Sequence, residues 1–182
     1  GQFDRDCFLR LHPSAHTNSG GFTNMMFGTS TTNNYGVAIG GLRAGTDNAP
    51  SFRINMLNDS VSGFNALTID PTGAVTMPSQ PAFQGQNSLT GNLVVNSLTT
   101  VTFSEIFDQN SDFSSTTFTA PVTGKYQLNV HLLVPLDSAA TYYQLQLHTS
   151  NRLYYETVDP DFGQDNAYYC LQVAVLADMD AS

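Results

Sequence analysis

The sequence predicts an all-β chain in two parts: a glycine-rich first part of short strands over residues 1–78 and a second part of longer strands over 79–182. Three observations carry this reading. Apolar and polar residues alternate with a period of two between clusters of Gly, Asn, Thr and Pro, the pattern of half-buried strands. No stretch of a dozen residues sustains a helical period. Only 12% of the residues are charged, about half the usual share. Ser, Thr, Asn and Gln must therefore supply most of the polar surface, which suits a rigid extracellular β protein.

Strands in the first part are expected over 8–11, 22–27, 35–42, 52–57, 66–69 and 75–77. Tyr35, Val37 and Ile39 alternate with Gly36, Ala38 and Gly40, which makes one face bulky and leaves the other bare enough for another backbone to approach. Phe52, Ile54 and Met56 face one way and Arg53, Asn55 and Leu57 the other, as in a strand with one side toward a core. Asp70-Pro71-Thr72-Gly73 has the composition of a type I turn followed by a glycine, and it joins 66–69 to 75–77 in a hairpin. About 20 bulky apolar side chains over six short strands are too few for a self-sufficient globule of this size. Association with further copies in a three-sided β shaft would complete the core; the plainer alternative is a small monomeric β domain. No repeat of fixed length supports a regular β-helix.

The two prolines of Met77-Pro78-Ser79-Gln80-Pro81 interrupt ladder hydrogen bonding and mark the boundary. Beyond it, strands are expected over 93–95, 100–107, 115–119, 124–134, 142–148, 153–158 and 167–176. Tyr126, Leu128, Val130 and Leu132 form one core row and Tyr143, Leu145 and Leu147 another. Many such strands between polar turns imply an antiparallel sandwich. Three adjacent tyrosine pairs, Tyr142-Tyr143, Tyr154-Tyr155 and Tyr168-Tyr169, place one ring on each side of a strand. The outer ring of each pair faces either a neighbouring copy or solvent.

The chemistry on offer is sparse. Net charge is -9 and Lys125 is the only lysine, so there is no basic stripe for nucleic acid. Apolar runs are far shorter than the roughly 20 residues of a membrane-spanning helix, and no membrane insertion is expected. Cys7 and Cys170 sit in different parts without metal or redox spacing, as isolated buried thiols. His12 and His16 have a zinc-like spacing for a helix, but Pro13 and the polar surroundings indicate a loop. Nothing resembles a nucleophile elbow, and no enzymatic activity is expected. In the acidic loop, Asp159, Asp161 and Asp165 present alternating carboxylates suited either to calcium or simply to solvent. With Tyr155 and Phe162 nearby in sequence, the same residues are candidates for contacting a glycan, since sugar rings stack on aromatic faces and carboxylates accept their hydroxyls.

Three stretches of the second part resemble the globular head of complement component one, subcomponent q, a family that shares its jelly roll with tumour necrosis factor. They are PAF (Pro81 to Phe83), VTFSEIFDQNSDF (Val101 to Phe113) and TFTAPVTGKYQLNVHLLV (Thr117 to Val134). The last is similar to the family signature, with Phe118, Ala120, Pro121, Gly124 and Tyr126 at the matching positions; the resemblance covers about 100 residues. Independently, Pro121 removes a donor at a strand end, Gly124 lets the backbone reverse, and Tyr126 opens a core row. The resemblance implies an antiparallel jelly-roll head, a homotrimer, and in some members calcium near the trimer axis. Such heads usually carry two more strands after a segment like 173–180, so the head is expected to be incomplete and the chain to continue past Ser182.

ALTIDPTGAVTM (Ala66 to Met77) is similar to stretches common in phage tail-fibre proteins. Together the two resemblances imply a viral tail fibre or other extracellular virion appendage, with a trimeric glycine-rich shaft and a head that recognises a host-surface glycan or protein. Its further partners would be other virion tail proteins. A secreted or spore-surface protein with the same head is the first alternative, and a polysaccharide-degrading tailspike the second.

Overall fold

The computed structural model describes residues 9, 11, 20–44, 49–91, 93–94 and 96–181. Two compact units divide the chain, Gly1–Gln80 and Pro81–Ser182. Among the described residues every strand pairing is antiparallel and there is no helix. Of the strand expected over 8–11, Leu9 and Leu11 are described and lie outside any strand. Cys7, Phe8, His12, Pro13 and His16 fall outside the described residues, as do Val95 and Ser182.

The first unit is one sheet in which each strand pairs with its neighbour in sequence. Its strands are β1 (Phe22–Gly28), β2 (Tyr35–Ala44), β3 (Ala49–Asn58), β4 (Phe64–Ile69) and β5 (Val75–Thr76). Residues directly opposite one another share a face, so register decides what each face carries. Met25 lies opposite Ile39 and Ile39 opposite Ile54; Phe27 lies opposite Val37 and Val37 opposite Met56. The row continues from Phe52 to Ile69, Ile54 to Leu67 and Met56 to Phe64, then from Ile69 to Val75. A bulge at Ala66 lets Phe64 and Leu67, an odd number of residues apart, join the same side. One face is thus Met, Phe, Val, Ile and Leu across all five strands. The other carries Gly36, Ala38 and Gly40 beside Ser51, Arg53 and Asn55, with Asn65 and Thr68 beyond them and Phe22, Met26, Leu42 and Leu57 as its bulky apolar members.

The apolar face is open. Met25, Phe27, Phe52, Met56, Phe64 and Val75 are exposed, Phe27 at 55% and Phe64 at 51%. Leu9 and Leu11 border it next to Met25, Ile39 and Phe52 but are themselves exposed. The other face is the more enclosed one: Ser51 and Asn55 are buried there, Phe22, Leu42 and Leu57 are half-buried, and Ala38 is the sole buried hydrophobic side chain among the described residues of this unit. β1 runs very close to β2 as its hydrogen-bonded neighbour in the sheet. A Cβ built at Gly40 would lie 2.0 Å from the carbonyl oxygen of Thr23, and one at Gly36 2.2 Å from that of Phe27. The close approach at Gly36 and Gly40 is therefore to β1, the ladder partner of β2 within the sheet, and not to a backbone laid on the bare face. Asn55 donates from Nδ2 to the carbonyl of Ser62 at 3.2 Å, while its Oδ1 and the Nε of Arg53 are buried without a hydrogen-bond partner.

The hairpin between β4 and β5 forms where the turn composition predicts it. The Gly73 N–H donates to the Asp70 carbonyl at 3.0 Å, Gly73 takes φ +90°, and the Asp70 N–H donates back to Ala74 at 2.9 Å. The Asp70 carboxylate accepts from Thr72 Oγ1 and from the N–H groups of Thr72 and Ala74. These bonds hold it below the usual carboxylate range, the Thr72 hydroxyl contributing most.

The second unit contains β6 (Phe83–Asn87), β7 (Phe103–Asp108), β8 (Phe113–Ser114), β9 (Thr117–Phe118), β10 (Gly124–Leu136), β11 (Tyr143–His148), β12 (Leu153–Val158) and β13 (Asn166–Met179). They pair as four two-stranded ladders, β6 with β7, β8 with β9, β10 with β13 and β11 with β12. The inner row of the long β10–β13 ribbon, Leu132, Val134, Leu136, Leu171 and Val173, packs against Leu145, with Tyr143, Leu147, Tyr154 and Val158 of the β11–β12 hairpin completing the core. Both core rows expected from alternation are therefore inward, and the architecture is antiparallel all-β. Leu93 and Val94, expected in a strand, are exposed and outside any strand. In each tyrosine pair one ring meets the core and the other is exposed: Tyr143, Tyr154 and Tyr169 pack inward, whereas Tyr142, Tyr155 and Tyr168 face outward.

Two glycine substitutions one residue apart test the close approach of β1 and β2. Gly40→Ala is expected to destabilise the first unit by about 1–3 kcal/mol, because the obstructing atom is backbone and cannot rotate away. Gly41→Ala meets nothing within 4 Å and is expected to stay within about 0.5 kcal/mol. Denaturant midpoints with hydrogen exchange at β1 amides distinguish the two; equal effects would refute the account.

Candidate functional site

The residues behind the family resemblance come together in one aromatic stack. Phe83 of β6 lies between Phe113 of β8 and Phe118 of β9, with ring centroids 4.6 and 4.9 Å away and nearly parallel planes. Phe103 of β7 meets Phe113 edge-on at 6.5 Å, and Tyr126 of β10 meets Phe118 edge-on at 5.3 Å. Such offset and edge contacts are the arrangements that ring quadrupoles favour. Gly85 makes room for the stack, since a Cβ there would sit 3.0 Å from Cβ of Phe103 and 3.1 Å from Cε1 of Phe113. Below the stack, Ala120, Ala177 and Met179 are buried against Phe118 and Tyr126. Tyr126 Oη donates to the Val122 carbonyl at 2.6 Å, which closes the bend that Pro121 opens.

Gly124 is a correction. It is the first residue of β10, has no positive φ, and a Cβ there would touch its nearest neighbour, Tyr126, at an ordinary 3.8 Å. The chain reverses at residues 121–123 instead.

The acidic loop is built differently from the expectation. Asp165 Oδ1 accepts from both the N–H and the Oγ of Ser138, at 3.0 and 2.9 Å, which ties the 137–142 turn to the start of β13 and holds the carboxyl below its usual range. Asp159 Oδ1 accepts the N–H of Asp161 at 3.1 Å. Pro160 is fully buried between them. Among the described residues no three His, Cys, Asp or Glu side chains gather as a metal site, so Asp159, Asp161 and Asp165 do not assemble the calcium cluster considered above. Phe162 stacks on Tyr169 at 6.1 Å rather than on Tyr155. Tyr155 and the acidic loop are thus separate features.

Tyr155 instead belongs to the outer face of the β11–β12 hairpin. It lies opposite Gln146, with Gln144 opposite Thr157 and His148 opposite Leu153. Gln144 Nε2 donates to Thr157 Oγ1 at 2.8 Å, Gln146 Nε2 donates to Gln144 Oε1, and His148 Nε2 bonds Gln146 Oε1 at 2.9 Å. The signal for this ladder was present in the sequence, because Gln144, Gln146 and His148 alternate with the core row Tyr143, Leu145 and Leu147. Below the ladder, Arg152 grips Asp178 of β13 through Nε at 2.8 Å and Nη2 at 3.1 Å, and the Tyr154 hydroxyl reaches the same carboxylate at 3.4 Å.

Tyr126→Ala is expected to cost about 2–4 kcal/mol, toward the lower end for a ring only partly buried, and Tyr126→Phe about 1 kcal/mol for the lost hydroxyl bond. Gly124→Ala should change the denaturation midpoint little. The Arg152 guanidinium draws the Asp178 carboxyl down to about 2, chiefly by hydrogen bonding. A depressed folded pKa stabilises above the unfolded value of about 3.9, and that stability is lost as pH falls toward 2. Thermal midpoints measured from pH 5 to pH 2 should fall less steeply in Asp178→Asn than in the parent chain; parallel curves would remove the pair from the acid response. The chain matches no family model, no curated protein and no solved structure.

Proposed function

We propose that this chain is a structural and adhesive module of a viral tail fibre or similar virion appendage, acting as a homotrimer whose second unit recognises a host surface. The observation that carries the proposal is the open apolar face of the first unit. A sheet that sets Met25, Phe27, Phe52, Ile54, Met56 and Phe64 on one side and on the other buries Ala38 as its sole hydrophobic side chain, with Phe22, Leu42 and Leu57 only half-buried, lacks the buried apolar area that stability requires. Three copies turning these faces toward a common axis would supply it, and a closed ring hides the faces completely where an open assembly would not. The low charge, the polar Ser/Thr/Asn/Gln surface and the aromatic stack uniting the resembling stretches support the same reading.

The test has two stages. Light scattering on the intact chain at micromolar concentration should give three times the monomer mass, and Ile54→Asp, at the centre of the apolar face, should lower it to that of one chain. A wild-type monomer that unfolds cooperatively would end the proposal. The assembled chain should then adsorb to cells of a bacterial host and compete with virion attachment.

A further inference from the structure

We propose that the outer face of the β11–β12 hairpin is a binding platform for a neutral saccharide, with Tyr155 as the stacking surface and Gln144, Gln146, His148 and Thr157 as the hydrogen-bonding edge. The biological role of such a platform rests on the adhesion reading above; the chemistry of the face stands by itself.

Tyr155 is 60% exposed in the middle of a strand. An exposed ring held on a rigid sheet is costly apolar surface unless something covers it, and the C–H face of a sugar is a partner of matching polarity. The side chains beside it form a chain with a single direction. Gln146 donates to Gln144 through Nε2, so its Oε1 is left to accept, which makes His148 Nε2 the donor to it; Gln144 in turn donates to Thr157. Each amide is thereby fixed in orientation yet keeps one N–H and one carbonyl lone pair free, and the Thr157 hydroxyl keeps its proton to donate. Alternating fixed donors and acceptors are what sugar hydroxyls, which do both, require. From Gln144 to His148 the row extends about 13 Å along the strand, long enough for more than one ring.

The platform is also rigid and neutral. Tyr143, Leu145 and Leu147, the residues between the ladder positions, are packed into the core, so little side-chain freedom remains to be lost on binding. The outward positions Gln144, Gln146, His148, Leu153, Tyr155 and Thr157 include no Asp, Glu, Lys or Arg. Apart from His148 the face offers an acidic saccharide no cation, and the neighbouring Arg152 guanidinium is already engaged by Asp178, which favours an uncharged ligand.

Saturation-transfer NMR on the intact chain, with a panel of neutral glucose-, galactose- and N-acetylglucosamine-containing di- and trisaccharides and a uronate trisaccharide for comparison, tests this. Transfer to at least one neutral saccharide is expected, with the side-chain amide signals of Gln144 and Gln146 shifting on titration. Tyr155→Ala should weaken binding by about tenfold and Tyr155→Phe should retain it, both with an unchanged melting midpoint. No transfer from any neutral saccharide, binding indifferent to Tyr155→Ala, or preference for the uronate overturns the platform. If the chain adsorbs to host cells and Tyr155→Ala adsorbs equally well, the platform falls while adhesion stands. If saccharide binding needs Tyr155 but no cell is bound, the platform stands and the adhesive role falls.

Discussion

A single constraint organises the first unit: five consecutive strands place most of their bulky apolar side chains on one side of one sheet, with Phe22, Met26, Leu42 and Leu57 on the other. In a sandwich the second layer meets the side that carries most of them. Here the more enclosed side is the other one, and β1 runs so close beside β2 that only glycine fits at Gly36 and Gly40. The enclosed space is of mixed character, lined by Phe22, Met26 and Leu57 as well as by Asn24 and Asn55, and Asn55 and Arg53 each keep an unpartnered buried atom. Burial of this kind contributes little hydrophobic free energy, since Ala38 removes far less apolar area from water than a Phe or Ile would. The free energy that would stabilise the unit resides in the face that remains open.

The second unit solves the same problem within one chain. Its long β10–β13 ribbon covers its apolar row with the β11–β12 hairpin, and its short strands add an aromatic stack over the end marked by Ala120 and Ala177. Polar contacts then tie the layers at several points. Asp165 holds the 137–142 turn, Arg152 holds Asp178, and Glu156 accepts the Gln172 N–H of β13 at 2.5 Å. None of these exposed contacts is individually strong, because solvent screens them. Their role is geometric: they orient a hairpin whose inner residues already supply the burial.

The sequence made the strands and their faces legible because period-two alternation is a local property. Residues 153–158 are a strand with those bounds, and the inward rows through Tyr126 and Tyr143 follow directly from alternation. Pairing is not local. That Gly36 and Gly40 face β1, and not a foreign backbone, depends on a register no pattern in β2 contains. Gly124 looked like a reversal because glycine often marks one, yet its backbone is ordinary and the bend lies just before it. The acidic loop failed as a cluster for a related reason: alternating carboxylates in sequence say nothing of which donors are nearby, and Ser138, far off in the chain, claims Asp165. Likewise Phe162 found Tyr169, a partner across the loop, whereas Tyr155, equally distant from it in sequence, belongs to another surface.

The two open surfaces of the chain differ in a way that suits different partners. The face of the first unit is broad and mostly apolar, with polar groups such as Thr23, Tyr35 and Asn58 toward the strand ends, so it rewards burial against a complementary apolar surface, and a copy of itself would provide one with matched stoichiometry. The face of the β11–β12 hairpin is narrow, uncharged and crossed by oriented amides, so its interactions are directional and individually weak. Weak directional sites gain most from being repeated on one rigid body: in a trimer, three of them engaging one surface would raise avidity by roughly 10²- to 10⁴-fold without a new contact. On the proposed reading the apolar face and the amide face would be linked in function, because without the assembly proposed for the first the second would be too weak to hold a cell.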